Sequence, residues 1–424
     1  MTSAAVPSAK PAARAPLMPL DEAIQRLLAH AQPVLEAEWV STFDADGRVL
    51  AQDVTSGLTV PPADNSAMDG YAVRCAECAT AGVELPVSQR IPAGSVGRPL
   101  TPGSAARIFT GAPIPPGADA VVMQEDTEAL QDGARVRIRV APRAGQSIRR
   151  AGEDVMRGAV VLSKGELLTP ASTGLAAGIG LDRLSVARRP RVAMFSTGDE
   201  LVTPGTVAPE ALPPGAIYNS NRYFLRALLQ RLGCEVTDLG IVPDSLDATV
   251  DALRGAAAGH DLILTSGGVS VGEEDHVKPA VTRLGALDLW QIAIKPGKPF
   301  AYGHVGRADG GAAHFIGLPG NPVSSFVTFV LLVRPFVRAL QGATRLDASA
   351  FSLRADFAIT RADKRREFLR VRRNAQGGLD LFANQSSGVL TSMHWADGLV
   401  DHPAGSTIAK GDMVRFIPLA ELLA

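Results

Sequence analysis

Three stretches of the chain decide its fold. Residues 191–201 read RVAMFSTGDEL, residues 262–270 read LILTSGGVS, and residues 315–322 read FIGLPGNP. Each begins with a short apolar run that predicts a buried strand, and each continues into a polar or glycine-rich loop. Leucines at helical spacing predict a helix from about Asn221 that stops at Gly233, followed by a strand over residues 236–242. Strands that alternate with helices indicate a mostly parallel sheet with helices on both faces, and such sheets bind ligands at their carboxyl edge.

The patterns on either side of this alternation are different. From about Trp39 to Ala187, short apolar runs between Gly, Pro and Asp clusters predict a β-rich region, which a helix beginning near Leu20 precedes. After Gln341, strands are predicted over residues 351–353, 368–371, 379–382 and 413–416, which suggests a small barrel or sandwich. We therefore predict a multidomain α/β plus β protein. Its parts are a disordered tail (1–16), an N-terminal helix with β-rich lobes (17–187), a central mostly parallel α/β domain (188–341) and a C-terminal β-barrel (342–424).

The composition excludes several classes of protein. The 424 residues include 42 glycines and 30 prolines. Together these make up about 17% of the chain, which is more than the average share of about 12% but less than the roughly 25–30% of low-complexity chains. Aromatic residues make up only 5%, which argues against a stacking platform for single-stranded nucleic acid. A formal net charge of −1 provides no whole-molecule field that would hold a polyanion. We therefore expect a folded protein with many turns that does not bind nucleic acid.

The cysteine count and the N-terminus bear on location. Three cysteines are too few to stabilise a chain of this length by disulfide bonds, which favours a reducing compartment. We therefore expect a cytoplasmic protein. No apolar run reaches the ~18 residues of a membrane span, so no membrane association is expected. Residues 1–16 read MTSAAVPSAKPAARAP and lack the apolar region of a secretory signal. An organellar transit peptide is the alternative, but three prolines oppose its amphipathic helix, so a disordered tail is favoured.

Three loops predicted at the carboxyl edge combine into an anion site. Glycines in SGGVSVG (266–272) let backbone N–H groups converge on an anion, and EEDH (273–276) adds carboxylates that coordinate Mg²⁺ together with phosphate oxygens. In LPGNP (318–322), Asn321 is predicted to cap a helix whose N-terminus favours an anion. IKPGKP (294–299) adds two lysines on a stiff turn. Singly, each loop is also explained as an ordinary turn or cap; together they predict a site for a phosphorylated ligand with a divalent metal.

Further carboxylates stand in similar loops. STGDEL (196–201) places acidic residues at a strand end, and DNSAMDGY (64–71), RIFTGAP (107–113) and RRAGED (149–154) lie in the β-rich region. Each of these is also explained as a capped turn. CAEC (75–78) lacks a second cysteine pair for zinc, and the seven histidines form no paired-ligand spacing. Neither group is therefore assigned a metal or redox role.

Taken together and in chain order, the motifs resemble a known family. The matching stretches are PPADNSAMDGYAV from Pro61, RIFTGAPIPPGADAVVMQED from Arg107, SIRRAGEDV from Ser147, FSTGDEL from Phe195, TSGGVSVGEEDH from Thr265, IKPGKPF from Ile294 and GLPGNPVSS from Gly317. They are similar to the MoeA-type molybdopterin molybdenumtransferases, which are related to the E domain of gephyrin. The resemblance covers the chain from about Leu17 to the C-terminus. It implies an elongated homodimer with four structural parts, among them a molybdopterin-binding α/β domain, an extended β-rich region and a C-terminal β-barrel.

The resemblance also implies a reaction and its residues. In this family, molybdate is inserted into adenylated molybdopterin, and AMP is released in a Mg²⁺-dependent step. The implied catalytic residues are Asp69, Thr110, Asp154, Glu200 and Asp275, of which Glu200 and Asp275 are the candidates for Mg²⁺. The implied substrate-binding residues are Ser266, Gly267, Gly268, Ser270, Lys295, Lys298, Pro319, Gly320, Asn321 and Pro322. The first three catalytic candidates lie in another part of the chain, and we expect them to reach the site from the dimer mate.

Two alternative functions are kept. The related molybdopterin adenylyltransferases carry a Gly-Gly-Thr-Gly type of loop, whereas residues 267–270 read GGVS, the form of the metal-inserting branch. A non-catalytic scaffold, which is the role of the gephyrin E domain toward a receptor peptide, could lose its acidic residues, whereas Asp69, Glu200 and Asp275 are kept. We therefore expect an enzyme, with the adenylyltransferase and other molybdenum-cofactor enzymes as candidate partners.

Overall fold

The computed structural model describes residues 17–32, 36–268 and 276–423. The first part contains, in chain order, α1 (Leu20–His30), β1 (Ala37–Ser41), β2 (Val54–Thr55), β3 (Asn65–Ser66), β4 (Gly70–Val73), β5 (Val83–Ile91), β6 (Ala105–Ile108), β7 (Ala120–Met123), β8 (Thr127–Leu130), β9 (Arg135–Ile138), β10 (Ile148–Arg149), β11 (Val160–Leu162), α2 (Pro170–Gly178) and β12 (Arg183–Ala187). The second part contains β13 (Arg191–Thr197), β14 (Leu201–Val202), β15 (Ile217–Tyr218), α3 (Asn221–Arg231), β16 (Glu235–Val242), α4 (Leu246–Gly259), β17 (Leu262–Ser266), α5 (Val277–Leu284), β18 (Gly285–Gln291), β19 (Ile294–Lys295), β20 (Pro299–Gly306), β21 (Ala312–Leu318), α6 (Pro322–Thr328), α7 (Arg334–Leu340), β22 (Phe351–Ala355), β23 (Arg366–Arg373), β24 (Gly378–Leu381), α8 (Thr391–Trp395), β25 (Gly398–His402), β26 (Met413–Pro418) and α9 (Leu419–Leu423).

A six-stranded sheet in the order β16-β13-β17-β21-β20-β18 forms the α/β unit. The strands β16, β13, β17 and β21 pair in parallel, whereas β20 runs antiparallel to both β21 and β18. The register places Thr197 beside Val242, Ser196 beside Ser266, and Ser266 beside Leu318. The carboxyl ends of the four parallel strands therefore meet at one edge, as the mostly parallel sheet predicted from the sequence requires.

Apolar side chains cover both faces of this sheet. One core contains Val192 and Met194 of β13 together with buried residues of α1, α3, α6 and α7. The other core contains Ala193 and Phe195 of the same strand together with α4 and α5. This division follows from the alternation of side chains along a strand. Since α1 enters the first core through its buried face, the N-terminal helix packs with the α/β unit rather than with the β-rich region that follows it in the chain.

The β-rich region between β1 and β12 contains two packed lobes. In one, a six-stranded sheet in the order β7-β4-β6-β5-β9-β8 carries separate apolar clusters on its two faces. In the other, the pairs β1–β12 and β2–β11 enclose a core with α2. The short pair β3–β10 lies between them in the chain. The predicted β-rich character of this region is confirmed.

Five strands close into a barrel near the C-terminus. The order is β23-β24-β22-β26-β25, and an additional pairing of β23 with β25 closes the ring. The parallel pairing of β19 with β23 attaches the barrel to the α/β unit. The barrel alternative is thereby confirmed over the sandwich. The boundaries at residues 16, 187 and 341 stay predictions, and residues 1–16 lie outside the described parts of the chain.

One helical stretch, Pro322–Leu340, is long and apolar enough to cross a membrane by length and composition alone, with a mean hydropathy of 1.6. The fold buries 78% of its apolar window against the central sheet and the barrel. Arg334 and Arg338, which interrupt the apolar run in the sequence, are buried with it, and Arg334 donates to the carbonyl of Leu346 at 2.9 Å. We therefore interpret this stretch as a core helix of the α/β unit.

Candidate active site

The carboxyl edge of the central sheet opens into a cavity of about 580 Å³. Its wall contains residues at or after the ends of the four parallel strands, together with residues leading into α3 and the first residue of β20. These residues are 197–198, 200–201, 217–221, 244, 266–268, 299, 319–322 and 324. Among the described residues that line it, there is no lysine or arginine. Backbone N–H groups, hydroxyls and side-chain amides are therefore the hydrogen-bond donors that the wall itself offers to an anion.

The turn after β17 requires glycine at two positions. Gly267 and Gly268 have φ angles of +95° and +67°, a region that side chains with a Cβ rarely adopt. A Cβ on Gly268 would lie 2.4 Å from Cγ2 of Val277, and one on Gly267 would lie 3.1 Å from the carbonyl oxygen of Thr197. The N–H of Gly267 donates to the carbonyl of Leu318 at 3.0 Å. The turn is thus fixed tightly against the neighbouring strands.

The turn after β21 begins α6 without a side-chain capping bond. Asn321 occupies the N-cap position and Pro322 the first helical position, as predicted, but the Asn321 side chain makes no capping hydrogen bond. The carbonyl of Asn321 accepts from the N–H of Ser325 at 2.9 Å, and the N–H of Val323 donates to the carbonyl of Ser387 at 2.9 Å. A barrel segment therefore supplies the acceptor, and this first-turn N–H is not left free for an anion.

Two carboxylate side chains line the cavity. Glu200, a predicted site residue, is exposed after β13, and Asp244, which sequence reasoning missed, is half-buried after β16. The position of Asp244 directly after a predicted strand is the signal that would have found it. No three His, Cys, Asp or Glu side chains of the described residues lie close enough together to hold a metal ion. Asp275, the other predicted metal ligand, and Ser270 lie outside the described parts of the chain.

The two predicted lysines have different surroundings. The ammonium group of Lys295 lies 2.7 Å from a carboxylate oxygen of Glu367 and 3.4 Å from one of Asp363, both at the barrel. These carboxylates, Glu367 above all, raise the pKa of Lys295. Lys298 precedes Pro299, which lines the cavity, and has no ion-pair partner among the residues that the structure describes. Of the two lysines, Lys298 is therefore the one whose charge is uncompensated by the residues that the structure describes. The substrate-binding role of both lysines stays a prediction.

Two buried asparagines of the cavity wall were also missed. Asn219 and Asn221 flank the start of α3. The Nδ2 of Asn221 donates to Oγ of Ser266 at 2.9 Å and to the carbonyl of Gly320 at 2.7 Å. The sequence offers only their position between a short strand and a helix as a signal, because both contacts are long-range.

Asp69 and Thr110 form a second predicted cluster, in the β-rich region. Asp69 directly precedes β4 and Thr110 follows β6, and the antiparallel pairing of these strands brings both residues to one edge of their sheet. Oδ1 of Asp69 accepts from the N–H and from the hydroxyl of Thr110, both at 2.8 Å. The N–H bond first, then the hydroxyl and the charge of Arg107, lower the pKa of the Asp69 carboxyl. Asp69 is therefore an ionised, partly exposed carboxylate at neutral pH.

Asp154, the third candidate of this region, is exposed, and its side chain makes no hydrogen bond or ion pair within the described ranges; its N–H donates to the carbonyl of Val60 at 3.1 Å. Within one chain, as far as the structure describes it, no hydrogen bond or ion pair joins Asp69, Thr110 or Asp154 to a residue of the cavity. The predicted site residues thus lie in two places: at the cavity, and on the β-rich region.

The two cysteines of residues 75–78 have thiols with raised pKa values. Burial raises the pKa of the Cys75 and Cys78 thiols to about 11. Both stay protonated at neutral pH, whereas the thiolate is the form that attacks electrophiles and binds metals. This supports leaving the pair out of the candidate site.

Three protein-family models match consecutive parts of the chain. They describe the MoeA N-terminal region (domain I and II) over residues 18–180, a probable molybdopterin binding domain over residues 193–339, and the MoeA C-terminal region (domain IV) over residues 352–419. The second match contains the sheet edge and the cavity, and the first contains Asp69, Thr110 and Asp154. Both predicted groups of site residues therefore lie inside matched regions.

Individual relatives match over most of their length. A molybdopterin molybdenumtransferase of Haemophilus influenzae is 40% identical over 371 residues, which cover 86% of this chain and 89% of that protein. A protein of the same name from a Nostoc species is 37% identical over 387 residues, 90% of this chain and 83% of that protein. A crystal structure of a molybdopterin biosynthesis moeA protein from Pyrococcus horikoshii OT3 superposes with a TM-score of 0.81 at 28% identity, covering 95% of this chain and all of that one.

Proposed function

The chain belongs to the MoeA family of molybdopterin molybdenumtransferases, which are transferases of molybdenum cofactor biosynthesis, and we propose that it inserts molybdate into adenylated molybdopterin and releases AMP. The observation that supports this most directly is the cavity at the carboxyl edge of the central sheet. Its volume of about 580 Å³ lies in the usual ~300–1,000 Å³ range of small-molecule sites. Glycine-shaped turns on one side and carboxylates on another suit a ligand that carries phosphates and needs a metal.

The residues of the wall have distinct tasks in this proposal. The N–H of Gly268 and the hydroxyl of Ser266 bind phosphate or pterin oxygens, whereas the N–H of Gly267 is already bonded to the carbonyl of Leu318. Beside the wall, Lys298 precedes the lining residue Pro299, and its charge, which is uncompensated among the described residues, neutralises phosphate or molybdate. Phosphoanhydride cleavage depends on positioning and charge neutralisation more than on covalent catalysis, so a wall of fixed dipoles is suited to it.

The same wall fits Mg²⁺. Mg²⁺ usually binds through one or two carboxylates plus substrate phosphates rather than through a complete protein cage. Glu200 and Asp244 supply that number of carboxylates at the cavity, and Asp275 is the third candidate. When bound, the ion neutralises the charge that develops on the leaving AMP. Glu200 and Asp244 would hold the ion through their carboxylate oxygens, together with phosphate oxygens of the substrate.

The cluster of Asp69 and Thr110 acts, in this proposal, from a second copy of the chain. Both residues lie on the β-rich region, and within one described chain they make no contact with the cavity. In a homodimer, one copy presents Asp69 and Thr110 to the cavity of the other copy. Asp154 is proposed to reach the cavity of the other copy in the same way. The proposal also places the enzyme in the cytoplasm, with the adenylyltransferase that makes its substrate as a candidate partner.

The metal proposal predicts a difference between two adjacent carboxylates. Glu200→Gln removes a charge from the cavity wall, so the Mg²⁺ concentration needed for half-maximal AMP release should rise about tenfold. Asp199→Asn is the matched control, because Asp199 does not line the cavity, and it should leave that concentration unchanged. Titration of Mg²⁺ against initial rate measures both variants. Equal Mg²⁺ requirements in the two variants would remove Glu200 from the metal site.

Supplying different substrates separates this function from its alternatives. Given adenylated molybdopterin, molybdate and Mg²⁺, the protein should release AMP. Given molybdopterin and Mg-ATP without molybdate, it should accumulate no adenylate; accumulation would identify an adenylyltransferase instead. A folded dimer that performs neither reaction would support the scaffold.

A further inference from the structure

Asn221 joins the two turns that form the cavity wall. It is the first residue of α3, and 94% of its surface is buried, since 6% remains exposed. Its Nδ2 reaches Oγ of Ser266, at the end of β17, and the carbonyl of Gly320, after β21. Both of those residues line the cavity. One side-chain amide thus connects loops that follow two neighbouring strands.

The chemistry of its partners fixes how this amide is oriented. The carbonyl of Gly320 can only accept a hydrogen bond, so the NH₂ group of Asn221 must face it and the amide oxygen cannot. The same NH₂ group donates to Oγ of Ser266 at 2.9 Å. Because Ser266 Oγ is the acceptor there, its own hydroxyl hydrogen is available to donate, and it donates to no residue that the structure describes. Ser266 is therefore set up as a donor beside the cavity.

Unpaired buried polar atoms also occur on the elements that form this edge of the sheet. Among the described residues, buried side-chain atoms without a hydrogen-bond partner on the elements of this edge are Ser196 Oγ, Asn219 Nδ2, Asn221 Oδ1, Thr265 Oγ1 and Ser325 Oγ. An unpaired buried polar atom lowers stability, and most such atoms in folded proteins are paired. The unpaired Oδ1 of Asn221 lowers the free energy of unfolding, and this loss offsets part of what its two hydrogen bonds contribute. Stability alone therefore does not account for an asparagine at position 221.

We propose that Asn221 is a positioning residue, which holds the Ser266 turn and the Gly320 turn together and directs the hydroxyl hydrogen of Ser266 to an oxygen of the bound adenylated molybdopterin. The inference rests on the proposed function, which names the ligand. Asn221 itself does not touch the reacting atoms; its effect on the ligand passes through the hydroxyl of Ser266.

The test compares four variants for binding and for catalysis. Asn221→Ala removes both hydrogen bonds, and Asn221→Asp keeps the shape but turns an oxygen toward the Gly320 carbonyl. Each should raise the dissociation constant of adenylated molybdopterin, measured by calorimetric titration, about tenfold, the effect expected for one lost hydrogen bond to a charged group. Ser266→Ala should do the same. The double variant Ser266→Ala/Asn221→Ala should bind less than about twofold more weakly than Ser266→Ala alone, because the two residues act as one unit.

A matched control separates positioning from stability. Gln341 is another buried amide that bridges two partners, the carbonyl of Leu232 and the guanidinium of Arg338, away from the cavity. Gln341→Ala should lower the thermal unfolding midpoint about as much as Asn221→Ala but leave ligand affinity unchanged. Wild-type affinity in both Asn221 variants, or fully additive losses in the double variant, would overturn the inference. A wild type that binds adenylated molybdopterin but releases no AMP would contradict the proposed function instead, and the titrations would still decide the role of Asn221; a wild type that does not bind it would overturn both.

Discussion

Asp69 offers the clearest prediction at the scale of single residues. Asp69→Asn keeps an oxygen that can accept from the N–H and the hydroxyl of Thr110, so the variant should fold normally. It loses the negative charge, and removal of one electrostatic group from an active site commonly lowers turnover about 100-fold. AMP release by variant and wild type at equal concentration, with unfolding midpoints alongside, measures this. Full activity of the folded variant would leave Asp69 only the structural role of holding Thr110.

The buried ring of His314 should make the stability of the protein depend on pH. Burial above all, together with the nearby His30, lowers the pKa of His314 from 6.5 to about 4, and its Nδ1 lies 3.0 Å from the Tyr302 hydroxyl. The folded state therefore binds fewer protons than the unfolded state between these pH values. The stability that the neutral ring contributes is complete above pH 6.5 and is lost as the pH falls toward about 4.

Replacing that ring should flatten the pH dependence. His314→Phe removes the titrating group, so its free energy of unfolding should fall less than that of the wild type between pH 7 and pH 5. It should also be lower at pH 7, by about 1 kcal/mol, because the Tyr302 hydroxyl loses its partner. Urea unfolding at the two pH values measures both effects. Parallel pH profiles would mean that His314 does not titrate in this window.

Residue types and local spacing predicted some site residues and missed others for a physical reason. Glu200 and the turn at Gly267 follow apolar runs directly, so their place at the sheet edge could be predicted from the sequence. Asn221 could not, because its partners lie 45 and 99 residues away along the chain. The missing side-chain capping bond of Asn321 has the same origin, since Ser387 of the barrel contacts that helix start instead.

At the scale of elements, α1 provides a measurable test of packing. Leu27 is 1% exposed in the core that α1 shares with the α/β unit, so Leu27→Ala should lower the free energy of unfolding by about 2–5 kcal/mol. Arg26→Ala, on the exposed face of the same helix, removes only a surface ion pair with Glu22 and should change it by less than ~0.5 kcal/mol. Urea unfolding measures both. Equal, small effects would show that α1 does not contribute to the core.

Apolar runs predicted the central strands well and the barrel strands only in part. β13, β17 and β21 are buried on both faces, so their sequences are continuously apolar. β25 was missed because it carries Asp401 and His402, both buried. Asp401 is tolerated there because Arg366 pairs with it at 2.6 Å and Arg415 at 3.3 Å. A charge pattern along the chain does not reveal such pairing.

At the scale of the whole molecule, the proposed dimer predicts complementation between two impaired variants, assayed at a Mg²⁺ concentration low enough that Glu200→Gln alone is largely inactive. If Asp69 acts on the cavity of the partner copy, a mixed dimer of Asp69→Asn and Glu200→Gln chains contains one intact site and one doubly altered site. Random mixing of the two chains should then restore about a quarter of wild-type activity, because half of the dimers are mixed and each has one working site. Co-refolding equal amounts and measuring AMP release tests this. No recovery in a preparation shown to contain mixed dimers would mean that each chain completes its own site.

Insertion of molybdenum by this protein can be measured together with AMP release. Purified protein is incubated with adenylated molybdopterin, molybdate and Mg²⁺, and the AMP released is compared with the molybdenum that becomes transferable to an apo-molybdoenzyme. The proposed reaction should yield equal molar amounts of both, and neither when Mg²⁺ is omitted. Folded, dimeric protein that releases no AMP, or that releases AMP without producing transferable molybdenum cofactor, would contradict it.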